Sequence, residues 1–179
     1  MRALGQGLAK DERAAKASLE SLCRAQYALA CGMLGSLTGA GMLGPKDVAR
    51  AVQLFELGCE GKDALSCESL GGLYAGLNGQ IPPDMKRAIV WYERGCALDS
   101  GRACQAAGAL YGDGVMGKAD PVRAAQFFER ACAQNLGPAC RMLADQYTRG
   151  EGVPADPEKA RSLLKKACAT GYQRACDAL

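Results

Sequence analysis

Apolar and polar residues recur along the chain with a period of about 36 residues. In each period an aspartate is followed four residues later by an alanine, and the alanine four residues later by a large apolar residue. This spacing places the alanine and the large residue on one face of a helix, and aspartate is a favoured N-cap. The pattern predicts five amphipathic helices, here called A helices. The aspartates are Asp11, Asp47, Asp84, Asp120 and Asp156; the alanines are Ala15, Ala51, Ala88, Ala124 and Ala160; the large residues are Leu19, Phe55, Tyr92, Phe128 and Leu164.

A second helix, the B helix, is predicted within each period. In the fourth period we expect the A helix over residues 120–134, a break at 135–137, and a B helix that starts at Pro138. Gly- and Pro-rich segments follow each B helix. The sequence therefore predicts an all-α protein, one α-solenoid domain over residues 1–179 with five helix–turn–helix repeats. Their approximate bounds are 10–44, 45–81, 82–117, 118–153 and 154–179.

Ten cysteines share this period and form pairs whose members are eight residues apart. Residues eight apart in one helix are about 12 Å apart along its axis, whereas a disulfide needs Cα atoms closer than about 7 Å. A turn signal such as Gly61, Gly137 or Gly171 lies between the members of most pairs. We therefore predict one disulfide across the root of each hairpin, with the B helix beginning just before the second cysteine. The pairs are Cys23/Cys31, Cys59/Cys67, Cys96/Cys104, Cys132/Cys140 and Cys168/Cys176.

Two other roles for the cysteines stay open from the sequence: free buried thiols in a reducing compartment, and metal ligands. Two cysteines per repeat, with no histidine and no Cys-x-x-Cys, do not complete a four-ligand site, so we expect no metal. Disulfides would indicate an oxidising compartment, and we expect a periplasmic or extracellular protein. Because residues 1–10 lack the apolar core of a signal peptide, we expect a mature chain from which the signal was removed.

Composition narrows the classes of function. The chain contains no histidine, which excludes Ser-His-Asp and Cys-His nucleophile systems and the usual haem ligand, and no cofactor is expected. The net charge of +3, from 22 basic and 19 acidic residues, gives no electrostatic basis for nucleic-acid binding. No apolar run is long enough to span a membrane. We expect a monomer that binds a protein or peptide and does not catalyse a reaction.

The columns resemble the Sel1-like repeat family, which is related to the tetratricopeptide repeats. The resemblance rests on residues 84–92 (DMKRAIVWY), on residues 156–160 (DPEKA), and on Leu143, Tyr147, Gly150, Gly152 and Val153 in a B helix and the loop after it. The paired cysteines are similar to those of the cysteine-rich subgroup known from Helicobacter secreted proteins. The resemblance implies a right-handed solenoid that acts as an adaptor. The first repeat departs from the pattern, with Ala14 in place of a basic residue and Thr38 in place of tyrosine.

Two basic columns follow the A helices and are candidates for partner binding. In related solenoids the A helices line the concave surface, so these side chains are expected to contact an acidic or extended peptide. The alternative is local pairing, for example of Arg123 with Asp120. The candidates are Arg50, Arg87, Arg123 and Lys159 in one column and Arg94, Arg130 and Lys166 in the other.

One short motif offers an alternative, enzymatic reading. Ser162 and Lys165 form a Ser-x-x-Lys sequence, the nucleophile motif of serine β-lactamases and penicillin-binding enzymes. Penicillin binding and weak β-lactamase activity are what the cysteine-rich subgroup implies. However, no Ser-Asp-Asn or Lys-Thr-Gly accompanies the motif, and the equivalent positions of other repeats hold unrelated residues.

The cysteine pairing predicts the mass of the purified chain. Under non-reducing conditions we expect a mass about 10 Da below that of the reduced chain, two hydrogens for each of five bridges. Intact-protein mass spectrometry with and without reductant measures this difference. Ten free thiols would contradict the prediction and remove the argument for an oxidising compartment.

Overall fold

The computed structural model describes residues 2–115 and 117–179, with side chains from residue 12 onward. It consists of ten helices and, within the described residues, no strand. The odd-numbered helices are the A helices and the even-numbered ones are the B helices, so the predicted all-α fold of five helix–turn–helix pairs is confirmed. The helices are α1 (Arg2–Arg24), α2 (Ala28–Ala40), α3 (Val48–Glu60), α4 (Ala64–Tyr74), α5 (Met85–Ala97), α6 (Gly101–Gly112), α7 (Pro121–Ala133), α8 (Gly137–Arg149), α9 (Pro157–Ala169) and α10 (Gln173–Cys176).

Four of the five predicted aspartate caps are present. Each carboxylate accepts a hydrogen bond from the backbone N–H three residues later, as in Asp47 with Arg50 at 2.8 Å and Asp120 with Arg123 at 2.9 Å. The prediction for Asp11 is wrong, because α1 already begins at Arg2 and runs through this position. Residues 2–10 are mostly residues compatible with a helix, including Ala, Leu, Gln and Lys, so the helix continues where the column alone suggested a start.

Each hairpin root reverses the chain by the same Schellman turn. The third residue after the first cysteine has a left-handed φ, and its N–H donates to that cysteine's carbonyl, as in Asn135 to Cys132 at 2.9 Å. Four of these positions are not glycine, which differs from the glycine-based turns that the sequence suggested; Gly137, for instance, is the first residue of α8. The left-handed residues are Gln26, Lys62, Asp99, Asn135 and Gly171.

This reversal brings the paired cysteines together, and the five predicted disulfides are all present. Their Cα atoms lie between 4.5 and 4.8 Å apart. Each bridge closes a loop of nine residues, for which chain entropy predicts about 2.5 kcal/mol of stabilisation. The hairpin interiors are lined largely by alanine and cysteine, for example Ala103, Ala139 and Cys104. The bridges therefore stabilise hairpins whose own apolar cores are small.

The second cysteine of each pair lies deeper in the structure than the sequence suggested. Cys31, Cys67 and Cys140 are each the fourth residue of their B helix, so the helix begins a full turn before them and not just before them. Their exposed fractions are 2%, 0% and 0%. Cys67 packs in a cluster with Leu70, and Cys140 packs in another with Ala167 of the next A helix. These cysteines are therefore core residues that a partner cannot contact, and no described cysteine is a free thiol.

Successive hairpins pack through a large residue of an A helix and a glycine of the B helix before it. Phe128 of α7 lies against Gly108 of α6, where a Cβ atom would come within 2.7 Å of the phenyl ring. Tyr92 lies in the same way against Gly71, and Phe55 against Gly35. At the last junction the equivalent positions hold a larger and a smaller residue, Ala144 and Leu164. Each glycine thus makes room for the ring of the next repeat.

Substituting Gly108 with alanine tests this packing. We expect Gly108→Ala to lower the free energy of unfolding by about 1–3 kcal/mol, because the added methyl group overlaps the Phe128 ring. The control is Gly112→Ala in the same helix, where a Cβ atom would meet its nearest neighbour at 3.8 Å. That variant should be at least as stable as the parent, because alanine favours the helix. Chemical denaturation measures both; equal effects would contradict the assignment.

Candidate functional site

A groove of about 550 Å³ lies on the surface of the A helices at the junction of the second and third hairpins. Val90 and Trp91 of α5 form its apolar part; Val90 is 45% exposed and Trp91 is half-buried. Trp91 precedes the inward-facing Tyr92, so it lies about a third of a turn round the helix, with one edge on the core and the other in the groove. The lining residues are Glu56, Tyr74, Asp84, Lys86, Arg87, Val90, Trp91 and Arg94.

Arg94 covers part of the Trp91 ring. Its guanidinium carbon lies 4.7 Å from the ring centroid, a cation–π contact between residues three apart on one helix. Stacking uses the planar face of the guanidinium and leaves its N–H edges available to an acceptor. The groove therefore presents an indole, an exposed valine and an oriented cation next to one another.

The first basic column makes contacts between neighbouring hairpins. Arg87, Arg123 and Lys159 lie over the rings of Tyr74, Tyr111 and Tyr147 at the end of the preceding B helix, at 5.5, 5.1 and 4.4 Å. The pKa of each of the three cations is raised, and the tyrosine contact is the main cause in each case. These cations therefore help to hold the junctions, while they stay exposed to solvent.

Two of these arginines also pair with the N-cap aspartate of their own helix. The nitrogen–oxygen distance is 3.3 Å for Arg87 with Asp84 and 3.5 Å for Arg123 with Asp120. The local pairing considered from the sequence is thus present. Arg50, the first member of the column, instead donates to the Gln53 side chain at 3.1 Å.

Tyr111 links three elements through its hydroxyl group. The hydroxyl donates to Glu93 of α5 at 2.6 Å and accepts from Arg123 of α7 at 2.9 Å. Burial raises the pKa of Tyr111; the Glu93 hydrogen bond adds to this effect and Arg123 opposes it. The tyrosine is therefore neutral at physiological pH and acts as a donor to the carboxylate.

The second basic column is more varied. Arg130 donates to the Cys96 carbonyl at the end of α5, at 2.7 Å, and lies 3.9 Å from the Asp99 carboxylate. It thus satisfies a free carbonyl at the C-terminus of a helix. Lys166 is half-buried on α9 and makes no side-chain hydrogen bond or ion pair within the described part of the chain.

An acidic column accompanies the basic ones, and the sequence analysis missed it. Glutamate stands three residues before the first cysteine in four repeats, at Glu20, Glu56, Glu93 and Glu129, and the fifth repeat has Lys165. Glu56, Glu93 and Glu129 add to the raised pKa of Arg87, Arg123 and Lys159. The common phase of this column was visible in the sequence. Its effect is that much of the charge of the first basic column is balanced within the protein.

The Ser-x-x-Lys pair lies on the exposed side of α9. Ser162 and Lys165 are both exposed, and neither forms a side-chain hydrogen bond among the described residues. A nucleophilic serine needs a base within hydrogen-bonding reach. Across residues 2–115 and 117–179, no three Cys, Asp or Glu side chains are grouped closely enough to hold a metal ion. None of the helices described is both long and apolar enough to cross a membrane.

The fold and its columns define the class, a solenoid of paired helices. The family model described as Sel1 repeat matches residues 23–63, 64–100, 101–136 and 137–172, and the chain belongs to this family. These segments divide the period at the hairpin root, so each contains a B helix and the following A helix; the A-first bounds given above stay a prediction. A comparison with curated proteins finds no match.

Several solved structures are similar. The protective antigen c5321 of uropathogenic Escherichia coli is 26% identical with a TM-score of 0.81, over 90% of this chain and 34% of that one. A Sel1 repeat protein from Oxalobacter formigenes is 26% identical with a TM-score of 0.74, over 89% of this chain and 63% of that one. Helicobacter pylori cysteine rich protein B is 30% identical with a TM-score of 0.60, over 75% of this chain and 96% of that one.

These matches fix the family and the kind of protein. The chain spans about a third of the length of the E. coli antigen and less than two thirds of the Oxalobacter protein. Sel1 repeat proteins are generally scaffolds for protein interaction and generally not enzymes. The five disulfides indicate an oxidising compartment.

A hydrolysis assay tests the enzymatic reading. With a chromogenic cephalosporin as substrate, we expect Ser162→Ala to hydrolyse at the same rate as the parent, because Ser162 has no base in reach. Ser36→Ala, a serine on α2 far along the chain, is the control. Hydrolysis by the parent that is lost only in Ser162→Ala would identify a catalytic serine and contradict our reading.

Proposed function

We propose that this protein is a non-catalytic scaffold that binds an extended segment of another protein on the surface of its A helices, centred on the Trp91 groove. The observation that carries this proposal is the exposed apolar pair, Val90 and Trp91, beside about 550 Å³ of open groove. Grooves of this size accept several side chains of a ligand. Tryptophan and arginine are the residues that most often dominate binding energy at protein interfaces.

The charges around the groove favour a partner segment with acidic residues. Lys86, Arg87 and Arg94 face Glu56 and Asp84, so the rim carries a net charge of +1 (three positive and two negative). Arg87 is held by Asp84 and Tyr74, whereas Arg94 is held only by the Trp91 ring among the described residues. We therefore assign the main ionic contact to Arg94. The other six basic candidates (Arg50, Arg87, Arg123, Arg130, Lys159 and Lys166) would contribute along the same surface, which we propose to be concave.

The disulfides support the place where this binding would occur. Five hairpins, each closed by a bridge, suit a protein that works outside the reducing cytosol. We propose a periplasmic or extracellular location for the chain, as a monomer. A covalently closed hairpin also keeps the groove preorganised, which lowers the entropic cost of binding.

A charge placed in the groove tests the proposal. We expect Val90→Glu to weaken binding of peptides selected from a random display library on the parent protein by at least tenfold, because it buries a carboxylate against the partner. The matched control is Val122→Glu on α7, a valine that is 52% exposed and not among the groove residues. Fluorescence anisotropy with the selected peptides measures both. Equal affinities for both variants and the parent would contradict the proposal.

A further inference from the structure

The first junction of the solenoid lacks an aromatic side chain that the next three junctions contain. The B helices of the second, third and fourth hairpins end near Tyr74, Tyr111 and Tyr147, and the equivalent position of the first is Thr38. The same junction has Leu54 where the next has Trp91. Two large rings are thus replaced by smaller side chains at one place.

A deep cavity of about 570 Å³ occupies this junction. Its floor is formed by Leu34 and Leu54, which are 3% and 1% exposed, and Thr38 and Leu43 form its walls. A second cavity of about 340 Å³ adjoins it and shares Glu20, Leu34, Arg50 and Leu54. The floor is therefore apolar, and charged side chains stand at the opening.

The polar partners of the missing tyrosine are still in place. At the third junction the Tyr111 hydroxyl donates to Glu93 and accepts from Arg123. The residues in the same columns at the first junction are Glu20 and Arg50, and both line the cavity. Among the described residues no aromatic ring lies under Arg50. The junction thus keeps the cation and the carboxylate that elsewhere bind a tyrosine.

We propose that this cavity binds the side chain of a tyrosine from the partner segment. The ring takes the place of the absent tyrosine on Leu34 and Leu54 and lies under the Arg50 guanidinium, and its hydroxyl donates to Glu20. This inference rests on the proposed function, because it names one anchor residue of the partner that the A-helix surface binds. The site is built from the same parts that hold Tyr111, so the protein itself supplies the template for the ligand.

Filling the cavity from within provides the test. N-acetyl-L-tyrosinamide is titrated into the full chain, and binding is followed by the methyl NMR signals of Leu34, Leu43 and Leu54. We expect saturable shifts with a dissociation constant in the millimolar range, and a loss of at least tenfold in affinity for Thr38→Tyr. The thermal midpoint of Thr38→Tyr should rise, since its ring occupies the space that the other junctions fill. Thr38→Val, which leaves the cavity open, should bind like the parent.

A second pair of measurements tests the hydroxyl contact. The parent should prefer N-acetyl-L-tyrosinamide over N-acetyl-L-phenylalaninamide by about tenfold, because the carboxylate of Glu20 accepts from the phenol. Glu20→Ala should abolish this preference and still bind the phenylalanine probe, which distinguishes a lost contact from a collapsed site. Equal affinity of the parent for both probes overturns the assignment of tyrosine.

Other outcomes separate this inference from the proposed function. Absence of shifts in the parent, or the same shifts in Thr38→Tyr, overturns the cavity site while leaving the Trp91 groove untouched. Binding of p-cresol without binding of N-acetyl-L-tyrosinamide indicates a free phenol as the ligand and overturns the polypeptide source. A failure of the Val90→Glu experiment together with binding of the tyrosine probe removes the groove and keeps the cavity.

Discussion

The packing of a large A-helix residue against a glycine of the preceding B helix is the contact on which the rest of this structure depends. A solenoid repeat contacts only its neighbours, so the fit at each junction decides whether successive hairpins stack. Gly71 and Gly108 allow the rings of Tyr92 and Phe128 to approach the backbone of the previous hairpin. Within each hairpin the Schellman turn and the buried disulfide fix the two helices relative to each other. Stacking and closure together hold the A helices in register.

This register explains why most of the conspicuous cations are structural. Arg87, Arg123 and Lys159 fall over the tyrosine of the previous hairpin because every repeat places them at the same point. The surface departs from this regular pattern at two places. At one, Val90 and Trp91 leave apolar side chains exposed; at the other, Thr38 leaves an internal cavity. Both departures leave the backbone of the solenoid intact, so binding features can vary while the fold is kept.

Reading the columns of the sequence predicted the helices, four aspartate caps and the disulfide pairs, because these depend on residues close together in the chain. It did not predict what lies between repeats. The glycine that receives Phe128 is 20 positions earlier, and nothing in the local sequence marks Gly108 as different from a flexible glycine. The tyrosine contacts of the basic residues were missed for the same reason. The start of α1 was missed because its capping column is present while the preceding residues also favour a helix.

The coupling between residues 108 and 128 tests the central claim most directly. In a double-mutant cycle with Gly108→Ala and Phe128→Leu, the second change should offset much of the first, because Ala with Leu is the combination at the last junction. We predict a favourable coupling energy of about 1–3 kcal/mol from chemical denaturation. Destabilisation that simply adds up in the double variant would show that the ring and the glycine are not matched, and would contradict this account of how the hairpins stack.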